Sequence, residues 1–180
     1  SETDLKAVKR LKKCTNCDLS YANLSKLDLS NSDLSGSNLS FSNLSGTNFN
    51  KANLSFTSLV KSKIYIANFE NANLEGANLT GARLNGSNFK KANLIDATLI
   101  SAVMSKANLQ EVVLDGANLK YAKFKGAILK KAKFYGSLIS FTDFSTADLS
   151  ESEMVAVDLS NSVFVSTKLD HVNFIETNVS

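Results

Sequence analysis

The segment GANLTGARLNGSNFKKANL, residues 76–94, repeats one pattern every five positions. A small residue is followed by a polar residue, then by Leu or Phe, and then by two variable residues. An α-helix repeats its faces every 3.6 residues and a β-strand every 2, so neither regular element explains this period. The period instead predicts a chain that turns a corner every five residues.

The same pattern runs through almost the whole chain. From Leu19 to Val179 every fifth residue is large and apolar, and the phase never slips. Two positions before each of these central residues stands Ala, Ser, Thr, Val or Cys, with Leu27 as the one exception. Each five-residue unit is therefore expected to place one large and one small side chain inward and its other side chains outward.

The phenylalanines indicate how many units make one coil. Two series of central residues recur at intervals of twenty: Phe49, Phe69 and Phe89, and Phe124, Phe144 and Phe164. If four units form a coil, residues twenty apart lie above one another at the ~4.8 Å spacing of neighbouring backbone segments. Each series then forms a column of stacked rings. The spacing predicts an all-β, four-sided parallel solenoid of about eight coils at that spacing.

The units ANLSK, SDLSG, SNLSG, ANLEG, ANLTG and ADLSE resemble the consensus of the pentapeptide-repeat family, A(D/N)LXX. The resemblance covers Cys17 to Ser180. It implies the architecture of that family, a right-handed quadrilateral β-helix, which agrees with the spacing of the Phe residues. We therefore expect residues 17–180 to form a single β-helical domain.

The first sixteen residues do not follow the five-residue pattern. Leu5, Val8 and Leu11 recur every three positions, which is typical of a short helix. Ser1 or Thr3 would cap its start, and lysines follow at its end. We expect residues 1–16 to form a capping helix across the first coil. The alternative is a frayed basic tail.

The other end of the solenoid has no such cap in the sequence. The pattern continues through Leu169, Phe174 and Val179, which are expected to lie near an open end with unpaired backbone groups. Such an end invites pairing with another chain, so we predict an end-to-end homodimer through the C-terminal coil. The alternative is a capping segment that follows these residues in a longer chain.

Cys14 and Cys17 form a CxxC pair where the helix gives way to the first coil. A zinc site would require a second pair of ligands, and His171 is the only other candidate besides carboxylates. A thioredoxin-type site requires a different fold. Two interpretations stay open: a local disulfide that joins the helix to the first coil, and two reduced thiols in the core.

The CxxC pair also bears on location. Leu-rich pentapeptide proteins with a CxxC that enters the first repeat resemble exported members of the family. The resemblance therefore favours an oxidising location, such as the periplasm, a lumen or the exterior, over the cytoplasm.

The residues required for catalysis or phosphate binding are scarce. The chain has one His and no glycine-rich phosphate loop, and a rod with a filled core offers no cleft. We predict a non-enzymatic protein without catalytic residues, metal or cofactor, and we expect His171 to be a solvated surface residue. The net charge of +3 is too small to indicate nucleic acid as a partner. No apolar run approaches the ~18 residues of a membrane-spanning helix, so we expect no membrane insertion.

Charge varies along the chain. Residues 116–139 contain no acidic residue and six lysines: Lys120, Lys123, Lys125, Lys130, Lys131 and Lys133. Residues 140–180 contain seven acidic residues and one lysine. We call the six lysines the lysine belt and predict that they dock an acidic protein partner. The alternative is a solvated exterior with no such role.

These observations favour a protein-binding or scaffold module that presents flat faces to an unidentified protein partner. The family resemblance implies one alternative, a DNA-mimicking binder of DNA gyrase or topoisomerase of the quinolone-protection type. The DNA mimics of that type carry a strongly negative surface, whereas residues 18–180 of this chain have a net charge of zero. The five-residue repeat is also never interrupted, so it leaves no room for a projecting loop. A purely structural spacer is the second alternative.

Overall fold

A computed structural model describes residues 2–178, apart from the side chains of Lys9 and Leu11. In this part of the chain the regular elements are helix α1 (Glu2–Leu11) and the strands β1 (Glu153–Val155) and β2 (Asn173–Ile175). The two strands pair in parallel. The remaining straight segments are shorter still and pair through isolated parallel bridges. Helix and strands are thus minor features of a fold that bridges and turns dominate.

Every isolated bridge joins two residues that are twenty positions apart. The bridges form four ladders, and we name the four sides of the rod after them. Faces A, B, C and D contain the ladders that run through Asp18, Asn23, Asp28 and Asp33, and edge AB lies between faces A and B. The predicted quadrilateral parallel β-helix with four units per coil is confirmed. Its right-handed sense and the number of coils stay predictions.

The core is filled by the central residues of the units. Leu24, Leu54 and Leu99 have no exposed surface, and small residues such as Ala97 are equally buried beside them. The predicted columns of Phe rings are confirmed, because the ring centroids within each series lie between 4.6 and 5.3 Å apart in stacked geometry. Large and small inward positions therefore alternate around each coil and exclude water from the axis of the rod.

Each corner is a tight turn with a fixed conformation. The Ala22 N–H donates to the Leu19 carbonyl at 3.1 Å, and Tyr21, the third residue of that turn, has a φ of 58°. A positive φ at this position is the mark of a type II turn and favours Gly or Asn. All eight glycines of the chain occupy it. At Gly76 a Cβ would also lie 2.6 Å from the Phe56 ring, so a larger residue there would force that ring to move.

The polar residue before each central residue closes the same corner. Asp18 Oδ1 accepts a hydrogen bond from the Ser20 N–H at 3.1 Å, and Asn23 Oδ1 accepts one from the Ser25 N–H at 3.1 Å. Side-chain amides also connect successive coils, as where Asn68 Nδ2 donates to Asn48 Oδ1 at 3.1 Å. The repeated Asn and Asp residues are thus structural acceptors of the turns.

Helix α1 covers the start of the core. Val8 is fully buried, and Leu5 is partly buried against the same cluster, as the spacing predicted. The third residue of that pattern, Leu11, has its side chain outside the described part of the chain, as does Ser1, one of the two predicted caps. The other predicted cap, Thr3, lies inside the first turn of the helix rather than before it. The bridge ladders begin at Lys13, close behind the end of α1.

We expect Phe69→Ala to lower the free energy of unfolding by about 3–5 kcal/mol, because it opens a cavity between two stacked rings that closely packed coils cannot refill. Phe56→Ala is the matched control, since that ring is 67% exposed, and it should cost less than about 1 kcal/mol. Urea unfolding followed by circular dichroism measures both. Equal losses for the two variants would contradict the assignment of the Phe column as core.

Candidate functional site

The lysine belt divides into two groups on different sides of the rod. Lys123 lies on face B, with Lys120 and Lys125 at the edges of that face. Lys133 lies on face D, and Lys130 and Lys131 lie at edge CD. Faces B and D are opposite sides of a four-sided coil. A flat partner that docks against one side therefore contacts one group and not the other.

Two lysines of the second group, Lys130 and Lys131, are already paired within the chain. The Glu151 carboxylate lies 3.1 Å from Lys130 Nζ and 3.3 Å from Lys131 Nζ. Hydrogen bonds from these two lysines lower the pKa of Glu151, and the bond to Glu151 raises the pKa of Lys130. Glu153 follows Lys133 on the next coil of the same ladder. The acidic C-terminal coils thus neutralise the part of the belt at edge CD, and they place a carboxylate next to Lys133 on face D.

Face B carries a larger group of cations that the linear sequence disperses over five coils. With the edges AB and BC that flank it, this face contains eight cations: Lys26, Lys61, Lys63, Arg83, Lys106, Lys120, Lys123 and Lys125. We call this set the basic face. Asp143 is the only acidic residue among the described residues of the same face and edges. At about 4.8 Å per coil, the set extends over roughly 24 Å of the rod.

The cations of the basic face are free of ion pairs with carboxylates throughout residues 2–178. Seven of the eight side chains are exposed, and Lys120 is half-buried. At Asp143, burial opposes ionisation, but hydrogen bonds from Ser145 and the charges of Lys125 and Lys123 outweigh it and lower the pKa. The basic face is therefore a strip of positive potential that the chain itself does not neutralise, with one gap at the coil of residues 40–59 between Lys26 and Lys61.

The side of the rod that adjoins the basic face beyond edge AB has the reverse charge. Face A and edge DA contain no lysine or arginine in the described repeats and carry six acidic residues: Asp18, Glu75, Asp96, Asp115, Asp158 and Glu176. We call this set the acidic strip. About half of the charged residues of the neutral repeat region thus lie on two sides of opposite sign, and the rest are mixed on face C, edge CD and face D.

Edge AB, which borders the basic face, is also rich in exposed aromatic residues. The rings of Tyr21 and Phe41 stack with their centroids 5.1 Å apart, and so do those of Tyr121 and Phe141. All four occupy the third position of their turns, where φ lies between 58° and 63°. Phe56 is the only other aromatic residue at that position in the described turns.

The cysteine pair lies under helix α1. The structure joins Cys14 and Cys17 in a disulfide with a Cα–Cα distance of 5.5 Å, and Cys14 is almost fully buried. Cys14 Sγ lies 3.6 Å from the Asp4 carbonyl oxygen, and Asp4 Oδ2 accepts a hydrogen bond from the Asp18 N–H at 3.0 Å. The pair therefore lies at the junction of α1 with the first coil. That the disulfide forms in the cell stays a prediction.

The C-terminal coil exposes its central residues. Leu169 is 39% exposed and Phe174 is 45% exposed, whereas Leu149 and Met154, one coil earlier, have no exposed surface. Val179, the third residue of the predicted dimer end, lies outside the described residues. His171 is exposed at edge CD, as expected for a solvated side chain. Among the described residues, no helix has the length and apolar character to cross a bilayer.

Comparison with known proteins agrees with this geometry. The model of the pentapeptide-repeat family matches in eight copies, within residues 13–64 and 67–180. The chain belongs to the pentapeptide-repeat family. No curated protein matches it.

Several solved structures match this pentapeptide-repeat protein. Two are trypsin-treated forms of QnrB1, a plasmid-mediated fluoroquinolone resistance protein. The first is 23% identical with a TM-score of 0.71, and the alignment covers 90% of each chain. The second is 27% identical with a TM-score of 0.65, and the alignment covers 90% of this chain and 79% of that one. A third is HetL, which is involved in heterocyst differentiation regulation in the cyanobacterium Nostoc sp. strain PCC 7120. It is 24% identical with a TM-score of 0.49, and the alignment covers 89% of this chain and 84% of HetL.

The linear sequence does not reveal the basic face, because its eight cations are spread over residues 26–125. In the linear order they are interrupted by acidic residues such as Glu70 and Glu111, which the coil places at edge CD. The charge pattern becomes visible when residues twenty positions apart are compared. Writing the chain in rows of twenty residues brings each column of a face together and reveals both the basic face and the acidic strip.

We expect acid to weaken the attachment of α1 to the coil. Lys12 Nζ lies 2.7 Å from Asp28 Oδ2, and this hydrogen bond, with those from Ser30, lowers the pKa of Asp28 well below its ordinary value of 3.8. A carboxylate whose pKa is lower in the folded state stabilises that state fully above its unfolded pKa, and the contribution is lost as the pH falls through the folded pKa. The melting temperature should therefore decline as the pH falls from 5 towards 2.

Asp28→Asn isolates this contribution, because Asn keeps the oxygen acceptor for Ser30 and is the native residue one coil later at Asn48. The variant should melt below the wild type at pH 7, and the difference in melting temperature should shrink as the pH falls from 5 towards 2. Asp158→Asn, far from α1, is the control. The same ellipticity at 222 nm for wild type and Asp28→Asn across this pH range would show that Lys12 and Asp28 do not hold the helix.

Proposed function

We propose that this protein is a non-enzymatic binding module that docks an acidic surface of a protein partner through its basic face. The family consists in general of structural or binding modules, and the proposal adds the side of the rod that binds. It replaces the full lysine belt by the three belt lysines that belong to the basic face, Lys120, Lys123 and Lys125. The observation that carries it is the group of eight cations with one acidic neighbour.

The electrostatics of such a face suit partner selection. Opposed charge patterns speed the encounter of two proteins and disfavour partners of the wrong sign. The acidic strip on face A and edge DA repels an acidic partner, which favours orientations that dock on the basic face. Because the cations are mostly exposed, the attraction should weaken strongly as salt rises, with a screening length of about 8 Å at 0.15 M.

A protein partner fits the surface better than nucleic acid does. Sequence readout of DNA requires a helix or a two-stranded ribbon that enters a groove, and the described part of face B is a flat row of short bridged segments. The exposed rings of edge AB, beside the cations, are Tyr and Phe, which are enriched at protein–protein interfaces. Duplex DNA is accordingly an outcome of the test rather than the proposed partner.

Charge reversal on face B tests the proposal. Lys63→Glu, Arg83→Glu and Lys123→Glu together should reduce the affinity for a labelled twenty-residue polyglutamate probe by at least about tenfold, since three attractive contacts become repulsive. Lys51→Glu, Lys90→Glu and Lys91→Glu at edge CD make the same change in net charge and form the matched control. Fluorescence anisotropy at 150 mM salt gives both affinities.

An equal loss in the two triple variants would mean that net charge alone attracts the probe, and the basic face would have no special role. Tighter binding of a twenty-base-pair DNA duplex than of polyglutamate would point to nucleic acid instead. Circular dichroism and melting temperatures establish that both variants keep the fold.

A second candidate is a DNA-mimicking binder of DNA gyrase or topoisomerase, and the acidic strip is the observation that favours it. Its carboxylates run along one side of the rod, where they would take the place of phosphates. The similarity of the chain to the fluoroquinolone resistance protein QnrB1 is a further reason to test gyrase as a partner. The candidate predicts that excess protein inhibits gyrase supercoiling and that Glu75→Lys, Asp96→Lys and Asp115→Lys together abolish the inhibition. Supercoiling that is indifferent to excess protein would remove it.

Two other expectations remain proposals. An end-to-end homodimer would bury Leu169 and Phe174. A sedimentation coefficient that rises with protein concentration would reveal this dimer. An exported location would keep Cys14 and Cys17 oxidised, which thiol alkylation in intact producing cells measures. Free thiols in those cells would favour the cytoplasm.

A further inference from the structure

Two pairs of exposed aromatic rings lie on the same edge of the rod. Tyr21 is 74% exposed and stacks on Phe41, and Tyr121 is 53% exposed and stacks on Phe141. Both pairs belong to one column of edge AB, and equivalent residues are one hundred positions apart. Five coils of twenty residues separate them, which corresponds to about 24 Å along the axis.

The backbone makes these positions unfavourable for aromatic residues. A positive φ brings Cβ close to the following carbonyl in any residue other than glycine, and bulky side chains suffer most. Elsewhere in the same column the chain uses Lys61, Gly81, Ser101 and Asn161. The corresponding columns of edges BC and CD hold no aromatic residue in the described turns. Four rings on one edge are therefore not a requirement of the fold.

Between the two pairs, edge AB carries small side chains and lies beside basic residues. Gly81 and Ser101 carry little or no side chain, so the edge dips between Phe41 and Tyr121. The Lys61 side chain covers Gly81, with its Cγ 3.3 Å from the position that a Cβ would occupy there. Lys63 and Arg83, neighbours in the ladder of face B, lie beside this dip. An occupant of the dip meets cations along its length and an aromatic pair at each end.

We propose that the two aromatic pairs are anchors for the two ends of an extended, acidic polypeptide segment of the partner, whose carboxylates lie against the basic face between them. This inference rests on the proposed function and specifies the kind of partner. An extended chain rises about 3.4 Å per residue, so about seven residues span the two anchors. Apolar or aromatic residues at both ends of the segment would pack against the rings, and acidic residues between them would meet the cations.

Peptides of defined length test the spacing. The probe is a labelled peptide with six glutamates between two tryptophans, Trp-Glu₆-Trp, which places the tryptophans about 24 Å apart when extended. The comparison peptides are Ala-Glu₆-Ala, with the same charge and no anchors, and Trp-Trp-Glu₆, with both anchors at one end. We expect Trp-Glu₆-Trp to bind at least about tenfold more tightly than either, because only it reaches both pairs at once.

Substitutions of the rings test the site. Tyr21→Asn with Phe41→Asn removes one anchor, and Tyr121→Asn with Phe141→Asn removes the other. Asn tolerates positive φ and is native at the equivalent Asn161 of this column, so the fold should persist. Each double variant should reduce the affinity for Trp-Glu₆-Trp to about that for Ala-Glu₆-Ala. Phe56→Asn, which removes an exposed ring on edge DA, should leave the affinity unchanged. Where an Asn variant proves unstable, Ser, native at Ser101, replaces it.

The outcomes separate this inference from the proposed function. Equal affinity for Trp-Glu₆-Trp and Ala-Glu₆-Ala, together with the expected loss on charge reversal of face B, would overturn the anchors and leave the acidic partner standing. Loss of binding in Phe56→Asn equal to that in the edge AB variants would also overturn them. Tighter binding of a sulfated oligosaccharide of the same charge than of Trp-Glu₆-Trp would overturn the assignment of a polypeptide. Indifference to charge reversal would remove the proposed function itself.

Discussion

Backbone hydrogen bonds between consecutive coils hold every other feature of this protein in place. The Leu19 N–H donates to the Asn38 carbonyl at 2.8 Å, and the Asn38 N–H donates to the Cys17 carbonyl at 2.8 Å, so each residue is locked above the one twenty positions earlier. Because the register never changes in the described coils, like residues stack on like. Phe rings form columns in the core, Asn side chains form hydrogen-bonded rows outside it, and charges of one sign collect on one face.

The same register imposes a cost at every corner. The third residue of each turn adopts a positive φ, and the chain places all its glycines there. Where it places Tyr21, Phe41, Tyr121 or Phe141 instead, it accepts an unfavourable backbone and an exposed apolar ring together. The residues at these corners therefore give information about the functions of the surface. The buried central residues do not, because packing alone accounts for them.

Charge is organised in two directions. Along the axis, the acidic C-terminal coils neutralise part of the lysine belt, as the ion pairs of Glu151 illustrate. Around the axis, the basic face and the acidic strip lie on different sides of the rod. The second arrangement matters more for a partner, because a partner contacts one side of a rod rather than the whole circumference of one coil. A protein that is neutral over its repeats can in this way present a strongly directional surface.

The sequence by itself determined the five-residue unit, the twenty-residue coil and the Phe columns, because one large residue per unit must enter the core and regular spacing leaves only one way to stack them. It also predicted the helix that covers the first coil from Leu5 and Val8. Only the tertiary structure decided which charges are neighbours. Lys63 and Lys123 are sixty residues apart in the chain but share a face, whereas Lys123 and Lys133, ten residues apart, lie on opposite faces of the rod. The reason is that the chain turns at every corner. Residues that are close in sequence therefore follow one another around a coil, whereas residues twenty positions apart lie above one another on the same face.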